Sequence, residues 1–201
     1  FVDYAYKHGW RARGMDPSKE AIDYAYQHVS AVEMCQIAWD SQHFNRYSTF
    51  EVVTAFWLLE HLPDPRAFLT WARLHLAPGG VLALCVPNEW NWVQAQANVI
   101  TKTPNWWLHP THLNYWSAAT LYGMLGRAGF RVMDALGSFP IEAVILEGTD
   151  YVGDERLGDE MHALMRQSEL KLDRGTRLAV QRKHALQACG RDLFVVCKVD
   201  A

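Results

Sequence analysis

Continuous apolar runs alternate along the chain with segments of helical spacing. Phe50 to Leu58 is apolar and β-branched except at Glu51 and Thr54, and Val81 to Val86 is apolar throughout. Such runs suit strands that are buried on both faces of a sheet, with helices covering the sheet. Shorter strands are predicted over residues 11–15, 32–37, 130–136 and 193–199.

Helical patterns fill the intervals between these strands. Helices are predicted over residues 1–8, from Pro17 to about Val29 with Asp16 as its cap, from Pro65 to the Pro78-Gly79-Gly80 turn, and from Ser117 to Gly129. Two more are predicted over residues 157–173 and 175–189. This alternation of strand and helix predicts an α/β fold with a mostly parallel sheet.

Composition narrows the class of protein. With 201 residues, half of them hydrophobic, the chain is long and apolar enough to bury a sizeable core, which excludes a mainly disordered protein. A net charge of −3 gives no basic excess for nucleic acid. We find no apolar run long enough to cross a membrane and no signal-peptide pattern in FVDYAYKHGW. The four cysteines lack metal-site spacing, which favours reduced thiols and a cytoplasmic protein.

Two stretches interrupt the alternation. Residues 88–116 contain five of the nine tryptophans, and residues 140–189 contain two helical patterns. We therefore predict a core of residues 1–139 and 190–201 with a tryptophan-rich insertion, and a helical insertion over 140–189. The tryptophans form either an aromatic lid over an acceptor or a hydrophobic annex that packs the insertion on the sheet.

Several motifs occur together in a recognisable order. Gly14-Met15-Asp16-Pro17-Ser18 follows the first strand, LEHLPDP occupies 59–65, LAPGG occupies 76–80, VPN occupies 86–88, and PTHLNY occupies 110–115. In this order and spacing the chain resembles class I S-adenosylmethionine (SAM)-dependent methyltransferases of the small-molecule type. The resemblance implies a Rossmann-like sheet with helices on both faces, SAM as cofactor and S-adenosylhomocysteine as product.

The chain departs from that family at its start. The family begins with a central strand and a Gly-rich turn, whereas this sequence opens where that turn would end and has no glycine between Gly14 and Gly79. We therefore expect a longer parent protein, and we expect residues 1–201 alone to be poorly stable and to bind cofactor weakly.

The resemblance also suggests cofactor-binding residues. Asp16, at a strand end, would accept the ribose hydroxyls, although a plain helix cap is the alternative. Trp39 would stack on adenine and Asp40 would accept from its amine, unless both lie in an ordinary exposed loop. Ala55, Phe56 and Trp57 would line the methionine arm, unless the two aromatic side chains belong to the core.

An acceptor that must lose a proton needs a base. His112 is the first candidate and His109 a weaker one, although a loop histidine is often a hydrogen-bonded strut. For His61 we expect a structural role, and no metal ligand set is apparent in the sequence.

The sequence supports methyl transfer to an oxygen or nitrogen of a small-molecule acceptor, of sugar or natural-product type, with no nucleic-acid or membrane partner. The alternative is a methyltransferase-like binding domain without activity. A nicotinamide-dependent enzyme would also use an acid at a strand end, but the Pro78-Gly79-Gly80 turn and Glu60-His61-Leu62 argue against it. The acceptor and the oligomeric state stay open.

Overall fold

A computed structural model of the chain describes residues 1–29, 33–36, 38–39 and 49–200. The chain divides into two compact units, Phe1–Ser48 and Thr49–Ala201.

The first unit is a strand–helix–strand arrangement. It contains α1 (Val2–Lys7), β1 (Arg13–Met15), α2 (Lys19–His28) and β2 (Glu33–Cys35), and β1 pairs in parallel with β2. The cap of α2 differs from the prediction: Ser18 caps the helix, and its Oγ accepts a hydrogen bond from the Ala21 N–H. Asp16 lies too far upstream to cap, because Pro17 and Ser18 separate it from the first turn.

The second unit is a four-stranded sheet with helices. Its elements are β3 (Phe50–Phe56), α3 (Pro65–His75), β4 (Leu76–Pro87), α4 (Trp92–Ile100), α5 (Ala118–Arg127), β5 (Phe130–Gly137), α6 (Ala143–Leu146), α7 (Glu155–Lys171), α8 (Arg174–Leu186) and β6 (Asp192–Val199). The strand order is β3-β4-β6-β5; β3 and β4 are parallel, and β6 is antiparallel to both of its neighbours. Three of the four strands therefore run in one direction, which confirms the predicted α/β class.

The Pro78-Gly79-Gly80 turn is where prediction and structure differ most. Helix α3 ends at His75, and residue 76 already pairs with Phe50 of β3, so the glycines lie within β4 and not at a helix end. The register shifts between Phe50 and Val52. A Cβ on Gly80 would lie 3.1 Å from the Phe50 and Glu51 carbonyl oxygens, so this close backbone approach requires glycine.

The tryptophan-rich stretch contributes to a second small core. Helix α4, which the sequence pattern did not predict, buries Ala97 against Ile141, Ile145 and Tyr151, and Trp106 packs against this group. For Trp106 the structure thus favours the hydrophobic annex over the lid. In the structure all four cysteines are free thiols. In the described ranges, no helix combines the length and apolar character needed to cross a bilayer.

A buried ion pair connects the helical insertion to β6. Glu142 is fully buried, and its Oε1 accepts a hydrogen bond of 2.8 Å from Nη1 of Arg191. The Arg191 carbonyl in turn accepts from the Asn88 N–H at 2.7 Å, directly after β4. The pair therefore helps to fix the segment that leaves β4.

We expect Arg191→Met to lower the free energy of unfolding by about 2–4 kcal/mol near pH 8, somewhat less than for a fully buried pair because Arg191 is partly exposed. Burial raises the pKa of Glu142, so at low pH this carboxyl is neutral in the folded protein and the loss shrinks. Denaturant unfolding at about pH 5 and about pH 8 measures both values.

Adding Glu142→Gln to Arg191→Met should recover part of the loss, and Arg66→Met, which removes an exposed pair with Asp64, is the control. An equal loss in the Arg66 variant, or no loss for Arg191→Met, would refute the role of the buried pair.

Candidate functional site

Two histidines and two carboxylates meet beyond the sheet edge of the second unit. Glu60 and His61 belong to a 3₁₀ turn, Leu59–His61, that follows β3, while Glu89 follows β4 and His112 lies in the loop before α5. Because β3 and β4 are parallel neighbours, their carboxyl ends lie at the same edge, where ligands bind in open α/β sheets. We call Glu60, His61, Glu89 and His112 the histidine–carboxylate cluster.

Backbone hydrogen bonds hold the two loops of the cluster together. The Glu60 carbonyl accepts from the N–H groups of Leu113 and Asn114, at 2.7 and 3.0 Å. The Asn114 side-chain amide donates to the carbonyls of Leu62, at 2.7 Å, and Leu59, at 3.2 Å. The 3₁₀ turn therefore fixes the position of the loop that contains His112.

A second set of contacts fixes Glu89. Its N–H donates to the Trp116 carbonyl at 2.6 Å. The side-chain amide of the preceding Asn88 donates to the Gly190 carbonyl at 2.7 Å, just before β6. The chain is thus held on both sides where it leaves β4.

The four side chains are close together. His61 Nδ1 lies 3.0 Å from the Thr111 carbonyl, and His112 Nδ1 lies 3.2 Å from Glu89 Oε1. His61 Nε2 is 4.0 Å from Glu60 Oε1. One ligand atom from each of Glu60, His61 and His112 lies within 4.8 Å of the other two.

Burial governs the charges of the cluster. Burial raises the pKa of Glu60, although positive charge on His61 and His112 acts to lower it. It raises the pKa of Glu89 to about 7, although a hydrogen bond from the Trp116 backbone acts in the opposite direction. It also lowers the pKa of His112, and the charge of His61 adds to that fall. Within the cluster, Glu89 can therefore exchange a proton near neutral pH.

A cavity of about 330 Å³ opens at the same edge of the sheet. Trp57, Cys85, Leu136 and Phe194 give it apolar walls, and Ser138 and Asp192 add polar groups. The Ser138 hydroxyl donates to Asp192 Oδ2 at 3.0 Å. Burial, then the charges of Asp192 and Glu60, raise the pKa of the Cys85 thiol to about 12.

Trp57 has an unusual backbone conformation. Its φ of +50° lies in the left-handed region, which bulky residues rarely adopt. Its N–H donates to the Cys85 carbonyl at 2.8 Å, so the pairing of β3 with β4 extends to this residue. Strain of this kind is found most often at functional sites, and here it turns a half-exposed indole toward the cavity.

Of the predicted cofactor residues in the first unit, Asp16 follows β1 directly, and its Oδ1 accepts from the Ser18 N–H at 2.8 Å. Among the described residues its Oδ2 accepts no hydrogen bond. Trp39 lies half-buried in a turn, and Asp40 is outside the described residues.

In the second unit, Ala55 is buried in β3, and the Phe56 ring lies 5.5 Å from the Phe194 ring. Of the two predicted bases, His112 is in the cluster, whereas His109 is more exposed and its Nδ1 pairs with the Thr111 hydroxyl at 2.8 Å. Sequence analysis missed Glu60, Glu89 and Asp192 as site residues. The sole signal for them in the sequence is the position of an acidic residue relative to an apolar strand. Glu60 and Glu89 come shortly after such a strand, and Asp192 begins one.

Comparison with known proteins gives a consistent result. Residues 1–135 match a family described as a methyltransferase domain. A probable SAM-dependent methyltransferase of Mycolicibacterium smegmatis is 35% identical over 92 residues, which are 46% of this chain and 33% of that protein. The ubiquinone biosynthesis O-methyltransferase of Coxiella burnetii is 26% identical over an alignment of 151 residues, which covers 65% of this chain and 58% of that protein.

The fold comparison agrees. The crystal structure of a SAM-dependent methyltransferase from Archaeoglobus fulgidus matches with a TM-score of 0.61 at 14% identity, covering 98% of this chain and 80% of that one. Such a match supports the fold alone. The chain spans 33% of the length of the Mycolicibacterium smegmatis protein and 58% of the length of the Coxiella burnetii protein.

Asn114→Ala should release the His112 loop from the 3₁₀ turn, because it removes both hydrogen bonds to the Leu59 and Leu62 carbonyls. We expect a loss of about 1–3 kcal/mol in unfolding free energy and faster hydrogen exchange at the amides of residues 113 and 114. Amide exchange in α5 serves as the internal control. Unchanged protection at both amides would show that the side chain does not hold the loop.

Proposed function

Because the chain belongs to the SAM-dependent methyltransferase family, we propose that the protein transfers a methyl group from SAM to an oxygen or nitrogen of a small molecule. One observation supports this most strongly: the histidine–carboxylate cluster and the cavity occupy the same edge of the sheet, beyond the carboxyl ends of β3 and β4. Ligands of open α/β folds bind at that edge.

The reaction is an in-line displacement. A lone pair of the acceptor attacks the methyl carbon of the sulfonium, the bond from carbon to sulfur breaks, and its electrons stay on sulfur in S-adenosylhomocysteine. The sulfonium is already activated, so the protein contributes alignment and exclusion of water. An acceptor hydroxyl must also lose its proton, a step that we assign to the histidine–carboxylate cluster, with His112 as the predicted base.

For the cofactor, we propose that Asp16 binds the ribose hydroxyls through its Oδ2, since Oδ1 is engaged with the Ser18 N–H. A carboxylate at a strand end is the group that nucleotide-binding α/β folds use for this purpose. The segment Ala55–Trp57 would line the methionine arm, and Trp39 and Asp40 would contact adenine.

For the acceptor, we propose a small aromatic compound with a hydroxyl group. The indole of Trp57 and the ring of Phe194 offer flat apolar walls, and Asp192 offers an acceptor for a hydroxyl proton. A relative named for O-methylation in ubiquinone biosynthesis is compatible with such an acceptor.

Asp16→Ala should weaken binding of S-adenosylhomocysteine about tenfold or more, because a hydrogen bond to a charged group contributes about 1.5–3 kcal/mol. Asp16→Asn should be milder. Titration calorimetry on the protein in its full natural length measures both affinities, and NAD should not compete. Asp23→Ala, an exposed position on α2, is the matched control.

Failure of the full-length protein to bind S-adenosylhomocysteine at high micromolar concentration would reject the methyltransferase proposal. Equal affinity for the folded Asp16→Ala variant would reject the ribose contact alone. Binding with no transfer of labelled methyl from SAM to any acceptor in a panel of phenols and catechols would favour the inactive binding domain.

A further inference from the structure

We propose that Glu60, His61 and His112 bind one divalent transition-metal ion of the zinc class. This inference deepens the proposed function, and its consequence for the acceptor rests on that function. The sequence suggested no metal ligands because Glu60 and His61 are separated from His112 by about 50 positions; the parallel sheet and the bonded loops bring them together.

The first argument comes from the hydrogen bonds of the two imidazoles. A carbonyl can only accept, so His61 donates its Nδ1 proton to the Thr111 carbonyl and keeps a lone pair on Nε2. Glu89 Oε1 likewise lies 3.2 Å from Nδ1 of His112, so that nitrogen is engaged and Nε2 is the nitrogen left to bind an ion. Metal-binding histidines are typically held in this way, by a carbonyl or a carboxylate on the opposite nitrogen.

The second argument is an unsatisfied buried carboxylate. Glu60 is 1% exposed, and within the part of the chain that the structure describes its Oε2 has no hydrogen-bond partner. Burial of an unpaired carboxylate is costly. A cation between Glu60 and the two imidazoles would offset this cost and would give the ligand set two nitrogens and one oxygen.

The spacing requires only a small contraction. The three ligand atoms lie within 4.8 Å of one another, whereas ligands at about 2.0–2.2 Å from one tetrahedral ion lie about 3–4 Å apart. The segments that contain them are already held by the bonds from Leu113 and Asn114 to the Glu60 carbonyl. Side-chain rotation therefore suffices to close the site.

The donor set also indicates the class of metal. Two imidazoles with one carboxylate favour Zn²⁺ and its neighbours in the first transition row, whereas Mg²⁺ and Ca²⁺ prefer oxygen ligands. Three protein ligands leave at least one position open for an acceptor oxygen. A hydroxyl bound to the ion has a lower pKa, so it can release its proton to solvent and attack the methyl carbon as an oxyanion. His112 is then a metal ligand and not the base.

The test is calorimetric titration of the chelator-treated full-length protein with Zn²⁺, and with Mg²⁺ for comparison. We expect one Zn²⁺ per chain and weak or absent Mg²⁺ binding. His61→Ala and His112→Ala should each abolish tight Zn²⁺ binding. Glu89→Gln, which keeps the shape and leaves all three ligands in place, should weaken it about 10–100-fold. His28→Gln, at an exposed histidine in the last turn of α2, should leave the affinity unchanged.

If a histidine variant does not fold, the Zn²⁺ affinity of Glu89→Gln still tests the metal site. Failure of the unsubstituted protein to bind Zn²⁺ would overturn the metal site. So would a Zn²⁺ affinity in Glu89→Gln and in both histidine variants that equals the affinity of the unsubstituted protein. Binding of S-adenosylhomocysteine, measured on the same samples, separates the two proposals. Cofactor binding without Zn²⁺ binding would reject only the metal and return His112 to the role of base, whereas the reverse result would reject the methyltransferase proposal and leave the metal site standing.

Discussion

Parallel pairing of β3 with β4 is the constraint on which the site of the second unit depends. It brings Glu60, which follows β3, to the same edge of the sheet as Glu89, which follows β4. The pairing is tight enough to draw Gly80 against the carbonyls of β3 at one end and Trp57 against Cys85 at the other. A slip of one residue would turn every side chain of β3 to the opposite face and separate the cluster from the cavity.

The cluster depends equally on the hydrogen bonds that hold its two loops. These bonds keep the polar side chains of the cluster in an apolar environment. Main-chain groups and the Asn114 side-chain amide hold its loops, and these bonds do not involve the carboxylates of Glu60 and Glu89. Each is nonetheless almost fully buried with one oxygen unpartnered, within the described residues. Polar groups that destabilise the folded state and support no structure are expected where they serve binding or chemistry.

Sequence patterns were enough for the fold class and most of the elements, because long apolar runs such as Val81–Val86 and caps such as Ser117 and Asp64 are local signals. The prediction that Pro78-Gly79-Gly80 ends a helix was wrong, because pairing with β3 overrides the local preference of these residues. Of the cluster residues, the sequence singles out His112 as a candidate base, and His61 is expected to be structural. Glu60 and Glu89 were missed, because burial and unpaired oxygens are properties of the folded chain that no spacing reveals.

We propose that methyl transfer takes place beyond the carboxyl ends of β3 and β4. A crystal structure of the full-length protein with S-adenosylhomocysteine tests it most directly. We expect the ligand's sulfur beside the Ala55–Trp57 end of β3, facing the cavity between Trp57 and Phe194. Density for the ligand elsewhere, with this end of β3 unoccupied, would contradict this location of the site.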